Sequence, residues 1–108
     1  IGNVHGMVKS GNPRLHPERV KAIRAATGIP LVLHGGSGSM DEDFIACIKE
    51  GIDIVHINTE IRVAFSNTLR KSLADNPDEI TPYKYLPPAR DAVEKVVEAR
   101  LKLFSGMQ

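Results

Sequence analysis

The sequence predicts an α/β chain built on a parallel sheet. Three observations carry this. Short apolar runs alternate with helix-length amphipathic ones, in the order strand, helix, strand, helix, strand, helix. Most of the helix-length runs end on a glycine or proline. The strand runs are apolar enough to suggest strands covered on both faces. This spacing fits βαβ units. Doubly wound sheets and (β/α)8 barrels both satisfy it. A barrel takes about 250 residues, so a chain of 108 would hold only its closing units.

The elements follow in order. "IGNVHG" (1–6) reads as the end of a strand breaking into a glycine turn. "HPERVKAIRAATG" (16–28) reads as a helix: Pro17 suits the first turn, Val20, Ile23 and Thr27 share a face, and Gly28 closes it. "IPLVLHGG" (29–36) is a strand, with Pro30 tolerable only near its start. "MDEDFIACIKEG" (40–51) is a second helix, with Met40, Phe44, Cys47 and Ile48 on one face and Gly51 as its stop. Asp41, Glu42 and Asp43 load its first turn, where the helix dipole favours negative charge. "IDIVHINT" (52–59) is a third strand. The helix at 60–77 is striped by Ile61, Phe65, Leu69 and Leu73. A polar, proline-rich connector (75–88) leads to a last helix (89–104) with Val93, Val96, Val97, Leu101 and Phe104 facing inward. No domain boundary is visible, so residues 1–108 read as part of one domain.

Composition narrows the function. The chain is 42% hydrophobic and 25% charged with a formal net charge of +1, which gives no electrostatic footprint for nucleic acid or an anionic membrane. The single cysteine excludes an intrachain disulfide and fits a reducing cytoplasm. On the apolar face of its helix, Cys47 reads as core rather than nucleophile. No apolar run approaches the roughly 20 residues of a spanning helix, and no signal-peptide pattern opens the chain. It begins Ile-Gly-Asn-Val-His rather than with methionine, and so reads as a piece of something longer.

Each of the three predicted strands ends on a histidine: His5, His34 and His56. The carboxyl ends of parallel strands share one side of the sheet, and that side carries the active site. Three imidazoles should therefore converge on one mouth. Catalytic zinc takes three protein ligands and keeps an open position. His5 and His34, both followed by glycine, read as metal ligands. His56 lacks that glycine, and its direct role stays open. His16, before Pro17, reads as a helix-cap or surface residue. "GGSGS" (35–39) runs from strand to helix, so its backbone N–H groups can cradle an anion. It lacks the Lys-Ser/Thr ending of a nucleotide P-loop. "INTE" (57–60) opens another helix with an amide and a hydroxyl. Two anion-ready turns beside a candidate metal point to a phosphorylated substrate.

These residues resemble a known family. "GNVHG" with Lys9 soon after, "LVLHGGSG", "NTE" followed by "VAF", and the tail "KYLPPARDAVEKVVEARLKLF" are similar to the last third of class II, zinc-dependent fructose-bisphosphate aldolases. The resemblance covers nearly the whole chain. It implies a (β/α)8 TIM barrel of which this chain holds the end of strand six, strands seven and eight, their helices and a C-terminal helix. It implies reversible cleavage of fructose 1,6-bisphosphate to dihydroxyacetone phosphate and glyceraldehyde 3-phosphate, with zinc polarising the ketose carbonyl.

Residue by residue, His5 and His34 match two of the three zinc ligands. Gly6, Gly35, Gly36 and Ser37 match phosphate-binding positions. His56, Ile57, Asn58 and Thr59 match the second substrate-binding turn. Lys9 and Ser37 lie where such enzymes hold a monovalent cation, Na+ or K+. The resemblance further implies a cytoplasmic homo-oligomer, dimer or tetramer, whose partners are the phosphorylated ketose and the rest of the barrel, with no nucleic acid or membrane.

Three departures stand out. The family's third zinc histidine and its proton-shuttling aspartate belong to an upstream motif that this chain lacks, so the 108 residues alone should be inactive. His56 replaces an asparagine that contacts the triose. "TPYKY" (81–85) puts Tyr83 where an arginine reaching a neighbouring subunit's substrate is common. The rivals are a tagatose-bisphosphate or other ketose-phosphate aldolase, and a non-catalytic phosphate-binding fragment.

Overall fold

The structure is a computed structural model describing residues 1–6 and 10–107. In chain order its elements are α1 (Pro17–Thr27), β1 (Leu31–Leu33), α2 (Asp41–Lys49), β2 (Ile52–Val55), α3 (Thr59–Asp75), α4 (Pro82–Tyr85) and α5 (Pro87–Ser105). The strands pair in parallel, with Leu31 opposite Ile52, Val32 opposite Ile54 and Leu33 opposite Val55, and an irregularity between Leu31 and Val32. The α/β alternation is therefore as the periodicity predicts.

The core sits between the sheet and its helices. Leu15, Val20, Leu33, Phe44, Cys47 and Ile52 are buried together, and Ile1, Leu31, Val55, Ile57, Leu103 and Phe104 pack around them. Burial pushes the Cys47 thiol pKa up, as suits a structural cysteine. Asp43 is buried as well. Arg14 Nε and Nη2 donate to its two oxygens at 2.8 and 2.7 Å, and the Leu15 N–H donates at 2.9 Å. The Arg14 hydrogen bond, aided by that backbone N–H and opposed by desolvation, holds the Asp43 carboxyl below its usual range. This residue does more than meet the helix dipole: it ties the segment before α1 onto α2.

Four expectations are corrected. Residues 1–6 form no strand. The Ile1 carbonyl accepts the His16 N–H at 2.9 Å, and contact with the end of β1 runs through the Asn3 side-chain amide, which donates to the His34 carbonyl. A ladder needs backbone on both sides. The proline-rich connector contains a helical turn, α4, begun by Pro82 and docked through Ser72 Oγ donating to the Tyr85 carbonyl at 2.9 Å. α5 also starts earlier than expected, because Pro87 and Pro88 are tolerated in a first turn. Finally, Leu101 is 62% exposed, while Phe65, Leu73 and Val97 are only partly covered. The inner line of α5 runs through Arg100, Leu103 and Phe104, one helical position round from Leu101. The Phe104 ring lies 5.3 Å from that of Phe44.

Candidate active site

The glycines after His5 and His34 have a backbone reason. Gly6 and Gly35 hold φ of +87° and +64°, a region that L side chains avoid. A Cβ on Gly35 would also lie 2.8 Å from the Val4 carbonyl oxygen and 2.9 Å from His5 Cδ2. The absence of a side chain there lets the first segment come down beside the end of β1. Gly36 serves a different purpose: its missing Cβ leaves room for the Phe44 ring, which would otherwise lie 2.7 Å away.

The second turn is tied to the first. The His56 N–H donates to the Leu33 carbonyl at 2.9 Å, one residue beyond β2, which fixes His56 beside His34. The Glu60 N–H, in the first turn of α3, points at Ser37 Oγ at 3.4 Å.

Between these segments lies a cavity of about 250 Å³. His5, His34 and His56 line it, together with Gly6 and Gly35, Ser37, Asn58 and Thr59. The His34 and His56 ring centroids are 4.6 Å apart and nearly perpendicular, and those of His5 and His34 are 6.3 Å apart. Of the residues singled out from sequence, Gly36 and Ile57 are not in this lining. Gly36 is buried over Phe44, and Ile57 packs against the core. Lys9 lies outside the described residues. His16 precedes α1 on the surface, its Nδ1 3.3 Å from Glu18.

The arrangement brings imidazole nitrogens and glycine-rich turns together in one recess. Zinc–nitrogen bonds of about 2.0–2.1 Å would set two rings on one ion with centroids about 5 Å apart; the His5–His34 separation is wider than this and the His34–His56 separation a little narrower. The donor chemistry fits two ligands. Among the described residues no three His, Cys, Asp or Glu side chains are grouped to hold a metal ion, so the remaining ligand would have to come from elsewhere.

Compared with known proteins, residues 1–107 match the family described as fructose-bisphosphate aldolase class-II. The chain belongs to the class II fructose-bisphosphate aldolase family.

A probable fructose-bisphosphate aldolase of Bacillus subtilis is 39% identical over 106 residues, which are 98% of this chain and 37% of that protein. The fructose-bisphosphate aldolase of Geobacillus stearothermophilus is likewise 39% identical over 106 residues. Among solved structures, the YdjI aldolase of Escherichia coli K12 superposes with a TM-score of 0.76 at 36% identity, covering 96% of this chain and 37% of that one. A Campylobacter jejuni fructose-bisphosphate aldolase, 21% identical with a TM-score of 0.73, shares the fold. The chain thus spans little more than a third of the length of these aldolases.

Sequence reasoning missed one residue tied to the turns that border this cavity. Arg100, on α5, forms ion pairs with Glu60 and Asp41 behind the two turns. Its position among the charges of an amphipathic helix carries no signal of this role. No helix among the described residues is long and apolar enough to cross a membrane.

Proposed function

We propose that this chain supplies the C-terminal part of a (β/α)8 barrel whose activity is metal-dependent aldol cleavage of fructose 1,6-bisphosphate. The observation that carries the reading is the cavity itself, where strand-end histidines and two helix-opening turns meet. The barrel reading draws support from the face of the sheet turned away from its helices. Val32 and Ile54, directly opposite in register, are 42% and 48% exposed, and parallel sheets are covered on both faces. Further strands would cover them.

His5 and His34 would hold zinc, with the third ligand and the proton-shuttling carboxylate supplied by the rest of the barrel. Bound there, zinc supplies Lewis-acid polarisation of the ketose carbonyl. The chain's own residues bind and orient. The backbone around Gly6, Gly35 and Ser37 receives a phosphate, helped by the positive end of α2. Asn58 and Thr59 offer an amide and a hydroxyl to the sugar's oxygens. Fixing the phosphate holds the triose portion in place relative to the histidines, which lowers the entropic part of the barrier. Ser37 would also contribute to a monovalent cation site.

The full-length protein should split fructose 1,6-bisphosphate in a coupled triose-phosphate assay, lose that activity to a chelator and regain it with zinc. Cleavage that persists without metal, or none at all in the zinc-loaded protein, would refute the reading. A second reading rests on His56, whose imidazole lines the cavity in place of an amide and would face the sugar hydroxyls. It makes the preferred sugar tagatose 1,6-bisphosphate, the C4 epimer, and relative kcat/KM on the two bisphosphates decides between them.

A further inference from the structure

We infer that Arg100, which lies outside the cavity, is a positioning residue for its two anion-binding turns. The inference rests on the reading of that cavity as the seat of a sugar phosphate. Arg100 Nε and Nη2 donate to the two Glu60 carboxylate oxygens at 2.7 and 2.8 Å, and Nη1 donates to Asp41 Oδ1 at 2.8 Å. Asp41 opens α2 and Glu60 sits in the first turn of α3. One guanidinium therefore bridges the starts of the two helices that the turns feed. Its side chain is only 19% exposed.

The same group reaches both turns by separate routes. Its Cζ lies 5.3 Å from the centroid of the Phe44 ring, within cation–π range. That ring fills the space a side chain at Gly36 would take. On the other side, Glu60 carries the backbone N–H that points at Ser37 Oγ. Movement of Arg100 is thus transmitted to residues 35–39 through Phe44 and to residues 56–60 through Glu60.

Charge gives a second reason. Asp41 in the first turn of α2 and Glu60 in that of α3 sit at the positive helix ends that an incoming phosphate would use, and they repel it. Arg100 offsets both. A lysine cannot replace it fully, because a single ammonium lacks the planar fork that serves both oxygens of Glu60 and a third acceptor together.

The test uses the full-length enzyme with Arg100→Met and Arg100→Lys, measuring kcat and KM on fructose 1,6-bisphosphate, inhibition by inorganic phosphate, and zinc content. In Arg100→Met, KM and the phosphate inhibition constant should rise on the order of tenfold while kcat and zinc stay within about twofold. Arg100→Lys should recover part of the loss. Adding Glu60→Gln to Arg100→Met should recover part as well, by removing a stranded charge. A lower unfolding midpoint with unchanged phosphate inhibition would make Arg100 merely structural and overturn the inference. Should Arg100→Met fail to fold, Arg100→Lys decides on the same readout. A wild-type enzyme that phosphate does not inhibit overturns the cavity reading itself, and the inference with it.

Discussion

The two ends of the β1–β2 pair hold their polar groups in opposite states. At the amino end, Asp53 is engaged by the framework. It accepts the Leu31 N–H at 2.8 Å and Arg24 Nη1 at 2.6 Å, while the same Arg24 nitrogen donates to the Ile29 carbonyl at 2.9 Å. The Leu31 N–H, with the Arg24 charge, holds the Asp53 carboxyl below its usual range. At the carboxyl end, among the described residues, no side-chain hydrogen bond engages the imidazoles of His5, His34 or His56, and all three rings border the cavity. A polar group so engaged holds the structure together. One left open can bind. α/β enzymes divide stability and chemistry between strand ends in this way.

Breaking the carboxyl end should have the largest effect. In the full-length enzyme, His34→Ala should reduce cleavage by more than the roughly 10–100-fold typical of outer-shell changes at a metal site, without changing the unfolding midpoint measured in chelator. A large loss of metal-free stability with kcat/KM retained would mean the ends are not divided as described. The core between them comes next. Phe44 is fully buried, and Phe44→Ala should cost about 3–5 kcal/mol in urea unfolding.

A smaller effect is expected from Asp43→Asn, and it depends on pH. The Asp43 pKa is depressed by folding, below its ordinary 3.8. Its stabilisation is therefore fully present above that value and is lost as pH falls through the folded-state value. The Asn variant should be less stable at neutral pH and should lose less stability below about pH 4, as a pH series of thermal midpoints would show. Asp53→Asn should do least. The amide oxygen still accepts the Leu31 N–H, so a slight fall in midpoint with unchanged kcat/KM sharpens the contrast between the ends.

Much of this was legible in the sequence. The α/β order follows from runs whose period and glycine stops are local signals. The convergence of His34 and His56 follows from parallel strands ending on one side. The glycine after His34 could be read as a backbone requirement, and its approach to Val4 supplies the reason. What escaped notice depends on distant partners. Asp43 looked like one of three dipole-facing acids until Arg14 and Leu15 closed over it. Leu101 fits an apolar stripe but falls on the outer side of α5, since periodicity does not say which side a neighbour occupies. Residues 1–6 have strand character but no ladder. Arg100 lies 40 residues from Glu60 in sequence, and no short-range pattern announces that pair.

The central claim, that the histidine end of this chain builds the metal seat of an aldolase, is tested most directly by zinc content. Metal analysis of the purified full-length protein should find stoichiometric zinc in the wild type and in His16→Ala, and zinc lost from both His5→Ala and His34→Ala. Full zinc retention in the His5 and His34 variants would contradict it.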